Sequence, residues 1–225
     1  MDEERAKRRY GEKSTLPIAA FARFDETPDA SFYGQARLVT HIDGRAIARV
    51  TELYRELLPA GARVLDLMSS WVSHLPPEIR YGDVVGLGMN ATELSANPRL
   101  SSWIVQDLNC DPVLPFADGA FDAVLICVSV QYLRDPVTVL TDVRRVLGPT
   151  GVLVITFSNR CFPTKAVAIW TRLHPDQQAE LVRYYLTEAG LGSVKSRELL
   201  RSPGDPLWAV VGRVGEEEGL GPLPA

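Results

Sequence analysis

Short apolar runs alternate with longer stretches of helical period along most of the chain. "ARVLDL", "DVVGLG", "WIVQDL", "FDAVLICVS" and "VLVITFS" are rich in β-branched residues and apolar on both faces, as buried parallel strands are. "LWAVVGRV" reads as one more strand further on. Amphipathic helices lie between them. In "IDGRAIARVTELYRELLPAGARV", Ile47, Val50, Leu53, Tyr54, Leu57 and Leu58 recur at helical spacing until Pro59 and Gly61 stop the pattern. "DPVTVLTDVRRVLGPTG" is stopped by Gly148, Pro149 and Gly151, and "HPDQQAELVRYYLTEAGL" by Gly190. This alternation predicts an open α/β sheet with helices on both faces, whose ligands bind beyond the carboxyl ends of the strands.

Composition narrows the picture a little. A length of 225 residues suits one domain with a large core, and 46% hydrophobic with 23% charged residues is ordinary for a globular chain. The net charge is −4 and the basic residues are scattered, apart from "RAKRR" near the amino terminus, which argues against a nucleic-acid partner. Cys110, Cys127 and Cys161 have no metal-ligand or redox spacing, so they predict free thiols, a reducing interior and no metal. The first ten residues are charged with no apolar segment after them, and no apolar run approaches the ~20 residues that span a bilayer. The expectation is a cytoplasmic protein with no membrane partner, monomeric or homodimeric. Residues 1–44, interrupted by Pro17 and Pro28, read as an arm or cap, 45–214 as the α/β domain and 215–225 as a disordered tail.

Two loops compete for a ligand. "GLGMNA" (86–91) matches G-x-G-x-x-A, with Asp107 about twenty positions on, the spacing of a dinucleotide fingerprint. Two features oppose a nicotinamide enzyme. Asn97-Pro98 cuts the following helix short, and the loop follows the second strand rather than the first. Asn90 with Glu93 reads better as a helix cap and capping box. The other loop, "VLDLMSSWVSHLPP", follows the first strand but lacks glycines.

Taken in order, "VLDL", "PVLPFADGAFDAV", "VSVQYLRDP" and "VRRVLGPTGVLVITFS" resemble the class I S-adenosylmethionine-dependent methyltransferases, in particular the small-molecule branch, over residues 60–160. "DLMSSWVSHLP…GLGMN…VQDLN…FSNRCFPTKA" is similar to a divergent subgroup with an eroded glycine loop. The resemblance implies a Rossmann-like, seven-stranded, mostly parallel sheet with one antiparallel strand. It implies S-adenosylmethionine as methyl donor and S-adenosylhomocysteine as product. It places the donor's amino-acid end on Asp66, Met68, Ser69 and Ser70, its ribose at Gly88, Met89 and Asn90, and its base beside Gln106, Asp107 and Leu108. Ser129, Val130 and Tyr132 would lie under the sulfonium.

Two departures stand out. Serines replace glycines in the first loop, so Ser69 or Ser70 is expected to cap a short helix starting near Trp71 or to donate to the donor's carboxylate. The family's acidic residue at the second strand is here Gly88, with Asn90 the expected substitute. These losses keep open a catalytically silent binding module as a second reading, with the nicotinamide enzyme a third. Asn159, Arg160 and Lys165, beyond the fifth strand, are candidates for holding a small, anionic methyl acceptor. His41 and Tyr33 are candidates for a general base, required only if the acceptor loses a proton.

Overall fold

The computed structural model describes residues 16–201 and 204–215. The "RAKRR" run and residues 216–225 of the expected tail lie outside that range. Seven strands form one sheet in the order β3-β2-β1-β4-β5-β7-β6. They are β1 (Arg63–Leu67), β2 (Asp83–Gly88), β3 (Ser102–Val105), β4 (Phe121–Cys127), β5 (Leu147–Ser158), β6 (Ser193–Leu200) and β7 (Leu207–Arg213). β1 to β5 pair in parallel, and β7 runs antiparallel to both β5 and β6. The seven-stranded sheet with one reversed strand is the expected architecture.

Among the described residues six α-helices accompany it: α1 (Asp29–Tyr33), α2 (Gly44–Leu57), α3 (Ala91–Ala96), α4 (Pro136–Val146), α5 (Ala168–Arg172) and α6 (Pro175–Glu188). The apolar stripe of α2 buries Val50, Leu53 and Tyr54 in one core layer, with Val64, Val84, Leu125 and Val154 of the sheet. The second layer joins Val137, Leu140 and Val143 of α4 and Val182 and Leu186 of α6 to Leu65, Val124, Ile126 and Leu153. Alternate strand residues therefore point to opposite layers, and each fully buried large side chain contributes about 1.5–3 kcal/mol. The helix starts are specified locally. The Asp43 carboxylate accepts from the Arg45 and Ala46 amides, and that of Asp135 from the Thr138 amide ahead of Pro136.

Three details depart from the sequence reading. The "WIVQDL" strand is not buried: β3 is the sheet edge, and Trp103 and Val105 are exposed. β6, "SVKSRELL", has too polar a pattern to be read as a strand and is held by its pairing with β7. No helix forms after Trp71; residues 71–77 are irregular.

The segment before α2 crosses the carboxyl rim of the sheet. Asp25 N–H donates to the Thr164 carbonyl and Ala168 N–H to the Ala22 carbonyl. A buried charge cluster pins it. The Arg23 guanidinium donates to both Asp29 oxygens at 2.8 and 2.9 Å, and the fully buried Lys165 ammonium lies 3.3 Å from Asp29 and 3.4 Å from Asp25. Asn109 adds an amide donor to Asp29 at 2.8 Å.

Candidate active site

The strand order reverses between β1 and β4, so the loops leaving them diverge and open a crevice. A cavity of about 600 Å³ occupies it. The tips of β1, β2, β3 and β4 form its floor in turn, through Asp66 and 68–72, 87–90 with Glu93, 106–109, and 127–129 with Tyr132. The loop 159–162 after β5 closes one side, and Tyr33, Arg37, Val39, Thr40 and His41 of the arm form the roof. Neither Met68 nor Trp71 plugs the space; the Trp71 indole N–H donates to the Val39 carbonyl of the roof at 3.0 Å.

The glycine-free loop works by another construction. Met68 takes the left-handed conformation (φ 58°) that a glycine would favour. Ser69 N–H then donates to the Leu87 carbonyl at 2.8 Å, so the loop folds over the tip of β2. A Cβ at Gly88 would lie 2.2 Å from the Ser69 carbonyl oxygen. The course of the glycine-free loop thus excludes a side chain at position 88. His74 (φ 53°) and Val128 (φ 44°) also hold left-handed backbone, and both line the cavity.

The serine hydroxyls are already committed. Ser69 and Ser73 each donate to the same Asp66 oxygen at 2.6 Å, and Ser70 donates to Glu93 at 2.6 Å. A hydroxyl has one proton to give, so neither Ser69 nor Ser70 is free to donate to a ligand carboxylate, and neither caps a helix. Burial lifts Asp66 to about 6, against the two serine donors that pull it down.

Asn90 is also fully engaged. Its Oδ1 caps α3 by accepting from Thr92 and Glu93, while Nδ2 donates to the carbonyls of Tyr33 and Gly34. The amide therefore fastens arm to rim and has nothing left for a ribose hydroxyl. The capping box is half formed: Glu93 turns to Ser70 and to the Arg37 backbone N–H at 2.7 Å. Gln106 ties down the next loop through the carbonyls of Asp111 and Val113. Asp107 accepts from Asn109 N–H and the Cys110 thiol, and still faces the cavity. Gly86 of the dinucleotide-like motif sits inside β2 against Leu100 rather than in a turn, which removes the reason to read a nicotinamide loop there.

Of the other expected site residues, Met89, Leu108, Ser129, Tyr132, Asn159 and Arg160 line the cavity. Val130 is buried beneath it. Lys165 is not at the cavity; its ammonium belongs to the charge cluster that fixes the arm, which corrects its assignment to acceptor binding. Burial pushes the Tyr33 hydroxyl well above its ordinary value, so at neutral pH it is a donor and not a base. That hydroxyl and Ser129 Oγ are buried without a protein partner. Burial lowers His41, with Glu93 opposing, and lowers His74 to about 4, so both imidazoles are neutral at pH 7. The sequence pointed to neither Glu93 nor Arg37 as site residues: their contact spans 56 positions and has no local pattern.

The reversed-order sheet and the rim crevice define a class: an open α/β domain with a cavity at its switch point, the place where ligands bind in such sheets. In sequence the chain is similar to S-adenosylmethionine-dependent methyltransferases over part of its length. Residues 71–155 match the family described as a methyltransferase domain, beginning within the glycine-free loop. The chain is 30% identical over 142 residues to the demethylmenaquinone methyltransferase of Renibacterium salmoninarum, covering 62% of this chain and 56% of that one. It therefore spans little more than half that relative's length. It is 25% identical over 176 residues to the ubiquinone biosynthesis O-methyltransferase of Cereibacter sphaeroides, covering 68% and 69%. A chain of the Haloferax volcanii complex between a methyltransferase and its activator superposes with TM-score 0.59 at 17% identity, covering 78% of this chain and 92% of that one. No helix among the described residues is long and apolar enough to cross a membrane.

Proposed function

We propose that the chain binds S-adenosylmethionine along the rim and transfers its methyl group to a small, planar, anionic acceptor beneath the arm. The observation that carries this reading is the cavity of about 600 Å³ across the tips of four consecutive parallel strands.

When bound, S-adenosylmethionine supplies a methyl carbon already activated for displacement, so the chain's task is to position and to exclude water. Asp107 and Leu108 would flank the base, and Ser129 and Tyr132 the reacting end. The acceptor side is ring-rich: Phe162 packs edge-on against Tyr33 and against His41 at 5.4 Å. Arg37 lies over Phe32 and Phe162 at 4.7 and 5.5 Å, and Arg160 is exposed at the mouth. Rings with two guanidinium groups suit a planar anion, and the relatives' names, which concern quinone compounds, agree with a planar acceptor. His41, neutral at pH 7, is positioned to take a proton from an acceptor that must lose one.

Calorimetry and thermal unfolding with S-adenosylmethionine, S-adenosylhomocysteine and NAD test this. The adenosyl ligands should stabilise the protein by about 2.7 kcal/mol at a hundred times Kd. Stabilisation by NAD alone, or by none of the three, overturns the reading.

A further inference from the structure

A nucleoside laid along this rim places its ribose over the tip of β2, the middle of the floor. A vicinal diol offers two O–H donors, and a carboxylate is the side chain that accepts both most strongly. At that tip Gly88 has no side chain and cannot acquire one, because the Ser69 carbonyl occupies the place of its Cβ at 2.2 Å. Met89 is apolar. Both ends of the Asn90 amide are engaged. One charged group of this stretch remains.

We infer that Glu93, one turn into α3, is the carboxylate that binds the ligand's vicinal diol, displaced from the strand tip by the refolded loop. Glu93 lines the cavity, and each of its oxygens accepts a single hydrogen bond: Oε1 from Arg37 N–H at 2.7 Å, Oε2 from Ser70 Oγ at 2.6 Å. A carboxylate has about four acceptor sites, so one on each oxygen is free for a ligand hydroxyl. The two existing bonds aim the group: Ser70 belongs to the loop that displaced the usual construction, and Arg37 to the roof. Of the other cavity-lining carboxylates, Asp29 is held by Arg23, Lys165 and Asn109. Asp66 is sealed under Ser69 and Ser73. Asp107 stands at β3, where the base would lie. The roof and the diol thus share one group, which ties occupancy of the floor to the position of the arm.

This inference rests on the adenosyl reading, and the test separates the two. Affinities for S-adenosylhomocysteine and for its analogue lacking both ribose hydroxyls are measured by calorimetry on the wild type, Glu93→Gln and Asp107→Asn. Glu93→Gln keeps an acceptor for Arg37 N–H, so its melting temperature serves as a fold control. The wild type should prefer the diol roughly ten- to hundredfold, and Glu93→Gln by no more than about threefold, with the analogue bound as in the wild type. Asp107→Asn should keep the preference. Full preference in Glu93→Gln, or its loss in Asp107→Asn alone, overturns the inference while leaving the adenosyl site standing. A wild type that binds neither compound overturns both.

Discussion

The two halves of the rim are built on opposite plans. Around β4 and β5, the motifs that look most specific in the sequence, "LPFADGAFDAV" and "RRVLGPTG", hold each other rather than a ligand. The fully buried Asp142 accepts from Leu114 N–H and from Arg145, and Arg145 reaches on to the carbonyls of Leu114 and Phe116 and to Asp118. Around β1 and β2, the cavity-facing loop is held by side chains: Met68 stands in left-handed conformation, and Asp66, Ser69, Ser70, Ser73, Asn97 and Glu93 are interlinked. One half is a structural lock that reads as a functional signature. The other lines the cavity and reads as decay.

Breaking the lock should have the largest effect. Asp142→Ala leaves Arg145 and the Leu114 amide without their buried acceptor and should cost about 3–5 kcal/mol in urea unfolding. A loss under about 1 kcal/mol would erase the contrast between the halves. The second test uses pH. Asp66 sits at about 6 in the folded chain, above its ordinary 3.8, so the folded state binds that proton more tightly. Its contribution is complete below about pH 4 and is lost as pH rises through 6. His74 has the reverse sign: lowered to about 4, it contributes above about pH 6.5 and loses that as pH falls through 4. Each amounts to about 3 kcal/mol, and between pH 4 and 6.5 they oppose each other. Asp66→Asn should therefore expose a fall in stability toward acid that the wild type masks, and His74→Gln a fall toward neutrality. Identical pH profiles for all three proteins would show the rim to be as inert as the lock. The smallest effect is expected of Met68→Gly. Relief of left-handed strain, about 1 kcal/mol, offsets the lost packing, so thermal unfolding should report a net change within about 1 kcal/mol.

What could be read from the sequence follows this division. β4, α4 and β5 were legible because period, turn residues and caps are local signals that agree with the packed fold. The end of the sheet to search was legible too, since strand-helix alternation points to the carboxyl ends of the strands, and the cavity lies there. Partner choice within it was not. Serines 69 and 70 next to a strand end suggest donors to a ligand, but Asp66 and Glu93 had already taken their protons. Asn90 suggests a ribose partner, and the carbonyls of Tyr33 and Gly34, 57 and 56 residues away, claim it. Lys165 looks like a loop cation until Asp25 and Asp29 are placed beside it. Apolar β3 reads as interior, yet pairing on one side only makes it the edge.

The Arg23–Asp29–Lys165 cluster makes the cut between residues 44 and 45 a poor place to separate this protein. A fragment starting at α2 would shed the roof with Tyr33, Arg37 and His41, and lay bare the faces of Phe162 and Tyr132. It would also leave the interior ammonium of Lys165 with neither of its counter-ions. The segment ahead of α2 is the cavity's roof, and the smallest unit worth expressing or crystallising keeps Leu16, which packs against the core.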